Sequence, residues 1–378
     1  MPEFHYGKGH EAPVVFHEDG KRVWLGRMFH LICGRCGGGV GPRRARGLFT
    51  IRTASREYVS DELLLVSARF EEESTRVEWR SPDHAFRVES RWEFSSEIGL
   101  CRRLDSIQNT SGGQITVARY VSRFVFSPGN YEVYSQAGRW CNENQGVSQP
   151  LGHGGLHLGG VGGRSCEGAT PYLCLREADS KQAVAFHLIP RGDWSIAVRC
   201  EPGGGNALPY AVIEAGLGDQ AWQLGLAPNE TLNLPEILIQ ALPDGQPHLG
   251  APSLHLYACA RALPLPAEAA PVVYNTWFDR FDHLEPLRLE SQLSAARDVG
   301  CEVFVVDAGW FGAGPIGWYN QVGDWREKTD AAFQGRMREF ADGVRQAGLG
   351  FGLWMEPERF RRSTTGACSG NSTRARSC

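Results

Sequence analysis

"VFVVDAGWFG", Val303 to Gly312, is the stretch whose reading decides the fold. Val303 to Val306 is an unbroken apolar run rich in β-branched residues. A strand buried on both faces reads this way, and such strands belong to parallel sheets. The run stops at Asp307, and small and aromatic residues follow. In parallel α/β folds, ligands sit beyond the carboxyl ends of the strands. A carboxylate delivered by a core strand to that rim is a candidate ligand contact.

The flanking sequence repeats the pattern. "VVYNTW" (Val272–Trp277) predicts a strand closed by Trp277. "LEPLRLESQLSAARDVG" puts Leu284, Leu287, Leu293, Ala296 and Val299 near helical spacing, with Gly300 as a stop. "RMREFADGVRQAG" predicts a second helix ending at Gly348, and "GFGLWMEPE" a third strand closed by Trp354 and Glu356. The order is β-α-β-α-β, so Trp277, Asp307, Trp354 and Glu356 should gather on one rim. Trp310 stands beside Asp307, and "VGDWR" adds Asp324 and Trp325 on the intervening loop. Indole faces stack on the apolar face of a pyranose, and carboxylates accept hydrogen bonds from its hydroxyls. Any one of these residues alone reads as a strand end satisfied by neighbouring backbone; four together favour a sugar site.

Upstream the periodicity changes. From about Tyr58 to Ala262 short strands alternate apolar and polar residues, as in "TRVEWRS", "AFRVESRWEFSS", "ITVARYVSRFVFS" and "AVAFHLIP". "SPDH", "SPGN", "PGGGN" and "PDGQP" punctuate them as turns. No useful helix is expected here, and the segment reads as a large all-β sandwich. "RALPLPAEAAP" (Arg261–Pro271) reads as a linker.

The bulk numbers exclude several classes. With 42% hydrophobic and 22% charged residues and a net charge of −4, the chain is an ordinary globular protein without electrostatic reason to bind nucleic acid. No stretch is long and apolar enough to span a bilayer, and the start lacks a secretory signal pattern. Eleven cysteines, several placed in apparent strands (Cys174, Cys200, Cys259, Cys301), fit reduced cytoplasmic thiols. Cys33 and Cys36 form one CxxC near His30, short of the four ligands of a zinc site. "HGGLHLGGVGG" (His153–Gly163) holds two histidines among glycines and reads as a β-domain loop. "PRRARG" is too short a basic run for a phosphate site.

"YNTW", "FVVDAGWFG", "VGDW" and "FGLWMEPE", in this order and spacing, resemble the barrel start of the glycoside hydrolase family 36 α-galactosidases. "GRSCEGATPYLCL" (Gly163–Leu175), "FHLIPRGDW" (Phe186–Trp194) and "NETLNLPEILI" (Asn229–Ile239) resemble that family's N-terminal supersandwich. The resemblance implies a multidomain chain: an all-β supersandwich over 1–265, then an incomplete (β/α)8 TIM barrel of three β/α units over 266–360, with a polar tail over 361–378. It implies a retaining glycosidase acting on α-galactosides with two carboxylates, without cofactor or metal, and homo-oligomeric in its full-length members. The residue matching Asp307 would bind the galactose hydroxyls; Trp354 and Trp277 would line the same pocket. Many members carry a second Asp where this chain has Ala308. The family nucleophile, in a Lys-Trp-Asp type motif, and its acid/base are not matched, and a full barrel takes roughly 250 residues. The expectation is a chain without catalysis and of poor solubility, because three β/α units leave an open edge. The Gly/Arg-rich stretch 32–47 and the tail from Arg361 read as departures from patterned sequence, the tail as a change of reading frame. The alternatives are a non-catalytic carbohydrate-binding or assembly module, an α-N-acetylgalactosaminidase, and a galactosyl transferase of the raffinose-synthase kind.

Overall fold

The structure, a computed structural model, describes residues 3–6, 14–33, 47–71, 73–161, 166–180, 182–202, 209–217, 222–262, 270–314, 316–357 and 359. The sequence expectations on Cys36, on most of 32–47, on the "PGGGN" glycines, on 263–269 of the linker, on Glu358 and on the tail from Arg361 fall outside these residues. The chain divides into two compact units, Met1–Pro264 and Leu265–Ala375.

The first unit is built from antiparallel sheets around one core. A ten-stranded sheet runs from an edge at Asn142–Pro150 through Tyr131–Arg139, Gly168–Glu177, Ala183–Ile189, Glu236–Leu242, Leu100–Asn109, Phe86–Ser95 and Ser74–Arg80 to Leu64–Phe70, with Thr231–Asn233 pairing alongside. A seven-stranded sheet centres on Ile115–Pro128 and Tyr210–Leu217. The period-two pattern explains the packing: Trp79, Trp92, Phe86 and Phe186 from one sheet meet Phe49, Phe124 and Phe126 from the other, all fully buried in one cluster. At the centre of that core lies an ion pair. Asp105 takes Arg103 at 2.8 Å and accepts hydroxyl protons from Ser90, Tyr120 and Ser122. Arg103 also lies 4.8 Å over the Trp92 ring.

Two expectations for this unit fail. Ala251–Tyr257 is an α-helix, continued as a π-helical turn over Ala258–Ala262, where strands and a linker were expected. Pro252 is tolerated because it sits in the first turn, and Leu254 and Tyr257 pack on Leu100 and Leu238 of the sheet. Cys259 therefore lies in that turn, exposed, rather than in a strand. The histidine-glycine stretch is no loop throughout: Leu156–Gly160 is a strand.

The second unit holds three parallel strands, β1 (Val273–Asn275), β2 (Val303–Val306) and β3 (Gly350–Leu353), with β2 in the middle. Helices α1 (Pro286–Asp298) and α2 (Met337–Gln346) connect them. Phe304 and Val306 are buried with Leu289, Ala296 and Val344 of the helices in one cluster. Gly300 and Gly348 follow the two helices at φ +81 and +87, the left-handed stop that glycine adopts without strain. The strands are shorter than expected. Asn275, not Trp277, closes β1, and Trp277 opens a single helical turn, Trp277–Arg280. Leu287 and Val299 point to solvent instead of the core, because the buried stripe of α1 runs through Leu289, Gln292 and Ala296. Cys301 lies just before β2 rather than inside a strand.

This architecture, an antiparallel sandwich followed by part of a parallel barrel, is the fold class that the sequence implies.

Candidate functional site

The ends of β2 and β3 lie side by side. Val306 is in register with Leu353, and the Trp354 amide donates to the Val306 carbonyl at 2.9 Å. Asp307 and Trp354 thus leave adjacent strands on the same rim. Asp307 is buried, and its carboxylate is held by two neutral donors. Asn275 Nδ2 donates to Oδ2 at 2.7 Å and the Ala308 amide to Oδ1 at 2.7 Å. The Asp307 amide in turn donates to Thr276 Oγ1 at 3.0 Å. The Asn275 amide orientation is settled by its other contact, since its Oδ1 accepts the Trp277 amide proton at 2.8 Å. No arginine or lysine is among these contacts, so the hydrogen bonds orient the carboxylate without neutralising it.

Beyond Asp307 the chain turns sharply. Gly309 sits at φ +106, and a Cβ there would stand 2.5 Å from the Asp282 carbonyl oxygen. This turn throws Trp310 and Phe311 back toward β3. Trp310 Nε1 donates to the Trp354 carbonyl at 3.0 Å. The aromatic rings then form a continuous series. Trp277 meets Trp318 edge-on at 5.5 Å, Trp318 meets Trp354 at 5.6 Å, Trp354 meets Trp325 at 6.2 Å, and Trp325 stacks on Trp310 at 6.2 Å. Phe311 fills the middle, 4.7 Å from Trp325 and 6.1 Å from Trp354.

The six residues singled out from sequence have different situations here. Asp307, Trp277 and Trp354 come together at the rim. Trp310 is 3% exposed with its indole N–H already used, so it lies behind the wall. The oxygens of Asp324 take a bidentate fork from Arg326 at 2.7 and 2.8 Å, which pushes the Arg326 guanidinium still higher in pKa. Glu356 is buried and accepts from Arg359 Nη1 at 3.4 Å. Sequence reasoning missed Asn275, Thr276 and Trp318. The first two stand inside "YNTW" and had a signal in their place at the end of β1. Trp318 had none, since it sits on a 3-10 turn, Trp318–Gln321, in an aperiodic loop. Among the described residues no group of three or more His, Cys, Asp and Glu side chains could hold a metal ion.

Comparison with known proteins is consistent along the chain. The glycosyl hydrolase family 36 N-terminal domain matches residues 51–206, and melibiase matches residues 233–366. The bifunctional alpha-galactosidase/sucrose kinase AgaSK of Mediterraneibacter gnavus is 24% identical over 327 residues, covering 84% of this chain and 32% of that protein. Alpha-galactosidase Mel36A of Lactobacillus acidophilus is 26% identical over 235 residues, covering 61% of this chain and 31% of its own length. The chain therefore spans about a third of the length of these curated relatives. Among solved structures, the alpha-galactosidase AgaA from Geobacillus stearothermophilus superposes with a TM-score of 0.76 at 17% identity, over 94% of this chain and 56% of that one. The alpha-galactosidase from Lactobacillus brevis gives 0.73 at 17% identity, over 94% and 55%. At such identities the two structures speak for the fold alone.

Proposed function

We propose, because this chain belongs to glycoside hydrolase family 36, that the rim of its second unit holds the terminal galactose of an α-galactoside. The relatives are named as α-galactosidases, and the substrate class comes from them. The observation that carries the reading is the Asn275–Asp307 pair. It presents an anionic acceptor, oriented by neutral donors, beside partly exposed indoles. That combination suits a neutral polyhydroxylated ligand. Hydroxyls donate to the carboxylate's remaining lone pairs, and the ring C–H face packs on Trp354 or Trp277.

Hydrolysis with retention needs two carboxyl groups about 5–5.5 Å apart, one as nucleophile and one as acid/base. Asp324 and Glu356 are engaged by Arg326 and Arg359, and no Lys-Trp-Asp motif occurs in the sequence. The reading is therefore recognition of the sugar by this chain without cleavage, α-galactoside hydrolysis being the activity of the family. Cys33, Cys101 and Cys174 are free thiols buried in the sandwich, which supports a reducing compartment such as the cytoplasm.

The test is titration of the chain with galactose and with its C4 epimer glucose, followed by tryptophan fluorescence, alongside an assay with an aryl α-galactoside. Saturable binding of galactose in preference to glucose, with no release of the aryl group, is expected. Absence of galactose binding overturns the recognition, and turnover overturns its separation from cleavage.

A further inference from the structure

Two exposed cysteines, Cys141 and Cys166, stand at one corner of the ten-stranded sheet. The strands Tyr131–Arg139 and Asn142–Pro150 are joined by a two-residue turn, since Arg139 is in register with Asn142. Cys141 holds the second turn position at φ +60, and its amide donates to Glu143 Oε1 at 2.9 Å. That backbone suits glycine or asparagine, and a Cβ there carries strain. Conformation alone therefore does not account for a cysteine at this position.

Cys166 reaches the same corner from the neighbouring strand. Gly138 is in register with Gly168, so the antiparallel ladder, continued two residues, sets position 166 across from position 140, beside Cys141. The approach is close. A Cβ on Gly138 would stand 3.1 Å from the Cys166 carbonyl oxygen and 3.8 Å from the Glu143 Cα. The two segments meet at a glycine that has no side chain to hold them apart. Thr170 Oγ1 donates to Asn144 Oδ1 at 3.0 Å as a further tie. The strand Asn142–Pro150 is the edge of the sheet and exposed at every residue, and among the described residues it pairs only with Tyr131–Arg139. Such an edge is where a sheet frays or recruits another chain.

We propose that Cys141 and Cys166 form a redox-responsive dithiol, which a low-molecular-weight disulfide such as oxidised glutathione closes to one intramolecular disulfide, pinning the hairpin tip to the strand Gly168–Glu177. One protein thiolate attacks the glutathione disulfide and displaces a glutathione thiolate, giving a mixed disulfide. The second protein thiolate attacks the protein sulfur of that mixed disulfide and displaces the other glutathione. Two protein thiols are oxidised, one glutathione disulfide is reduced to two thiols, and the two protons end on them. Neighbouring strands lie about 4.7–4.9 Å apart, within the Cα spacing of about 4.4–6.8 Å that a disulfide spans.

The experiment incubates the full chain with mixtures of glutathione and its disulfide, alkylates the remaining thiols and maps the cysteines by peptide mass spectrometry. Cys259, exposed on its helical turn, reports general thiol reactivity. The wild type should yield peptides joined through Cys141 and Cys166, lighter by two hydrogens. In Cys141→Ser, Cys166 should take up glutathione instead, and in Cys166→Ser, Cys141 should. The bond should form at a ratio of disulfide to thiol at least about tenfold lower in the folded chain than in urea, because the fold holds the two sulfurs together. It should also slow amide exchange over Asn142–Pro150. Separate glutathione adducts on the two cysteines of the wild type, unreacted cysteines while Cys259 is modified, a bond between two copies of the chain, or the same midpoint ratio in urea each overturn the dithiol. Unchanged amide exchange in the cross-linked chain overturns the pinning of the edge.

Discussion

Trp310 donates its indole N–H to the Trp354 carbonyl at 3.0 Å, and this one bond ties the loop after β2 to the end of β3. It puts the aromatic pair that follows Asp307 behind the indole that follows the next strand. The rim is thus a cross-linked surface rather than a row of independent strand ends. Its chemistry turns on Asp307 and on whatever holds Asp307 in place.

Asp307→Ala should abolish measurable galactose binding. Asp307→Asn should weaken it more than about tenfold, the ordinary scale for losing a charged hydrogen-bond acceptor. In Asp307→Asn one amide nitrogen must face either the Asn275 Nδ2 donor or the Ala308 amide. Isothermal titration of the two variants checks this. Wild-type affinity in Asp307→Asn would show that the carboxylate does not touch the sugar.

Asn275→Ala should weaken galactose binding through Asp307 and not by itself. The discriminating measurement is a double-mutant cycle. On an Asp307→Ala background, Asn275→Ala should change the unfolding free energy far less than it does in the wild type, since its partner is already gone. Additive effects would mean that Asn275 acts elsewhere.

Gly309→Ala should destabilise the second unit by about 1–3 kcal/mol or more, read from urea unfolding followed by tryptophan emission. The strain of φ +106 and the contact with the Asp282 carbonyl act together. Gly343→Ala is the control, because a Cβ at that helical position meets nothing within 4 Å; there alanine should stabilise by up to about 1 kcal/mol.

The sandwich should lose stability on acidification. His187 is half-buried against the Tyr172 ring at 4.7 Å, and desolvation there pushes its imidazole down from 6.5 to about 4. The unfolded chain takes up this proton first. Stability is therefore fully present above pH 6.5 and is lost as pH falls toward 4, by about 3 kcal/mol. Glu214 adds a loss of the same sign. Burial raises its carboxyl, but Arg199, Arg119 and Arg123 outweigh that and hold it below the ordinary range. His187→Phe should flatten the slope between pH 6.5 and 4 in chemical denaturation; an unchanged slope would refute the assignment to His187.

Breaking the core ion pair should cost more than any rim substitution. Asp105→Ala leaves the Arg103 guanidinium buried without its carboxylate, a loss of roughly 3–5 kcal/mol. Replacing both partners together, Arg103→Met with Asp105→Leu, should recover much of this. A drop in thermal midpoint no larger for Asp105→Ala than for the pair would contradict that account.

The parallel unit was legible because apolar runs and helical periods are local. Val303–Val306 reads as a strand from four consecutive residues, and Gly300 and Gly348 mark helix ends by their own backbone freedom. Where local pattern misled, the cause was a competing surface. Leu287 and Val299 fit the helical spacing as well as Leu293 does, yet the helix turns Leu289 and Gln292 inward because β2 and its neighbours lie on that side. The Ala251–Tyr257 helix carried no long period of its own and owes its place to the sheet beneath it.

The candidate site divides in the same way. Order along the chain determined that Asp307 would end a core strand, with indoles close by in sequence, since strand ends and turns are set by neighbouring residues. Only the tertiary structure decided that Asn275 would clamp that carboxylate from 32 positions away, and that Trp310 would be spent on a carbonyl 44 positions on. Those pairings arise when parallel strands come into register and distant side chains compete for the same volume, a relation that spacing along one chain does not encode.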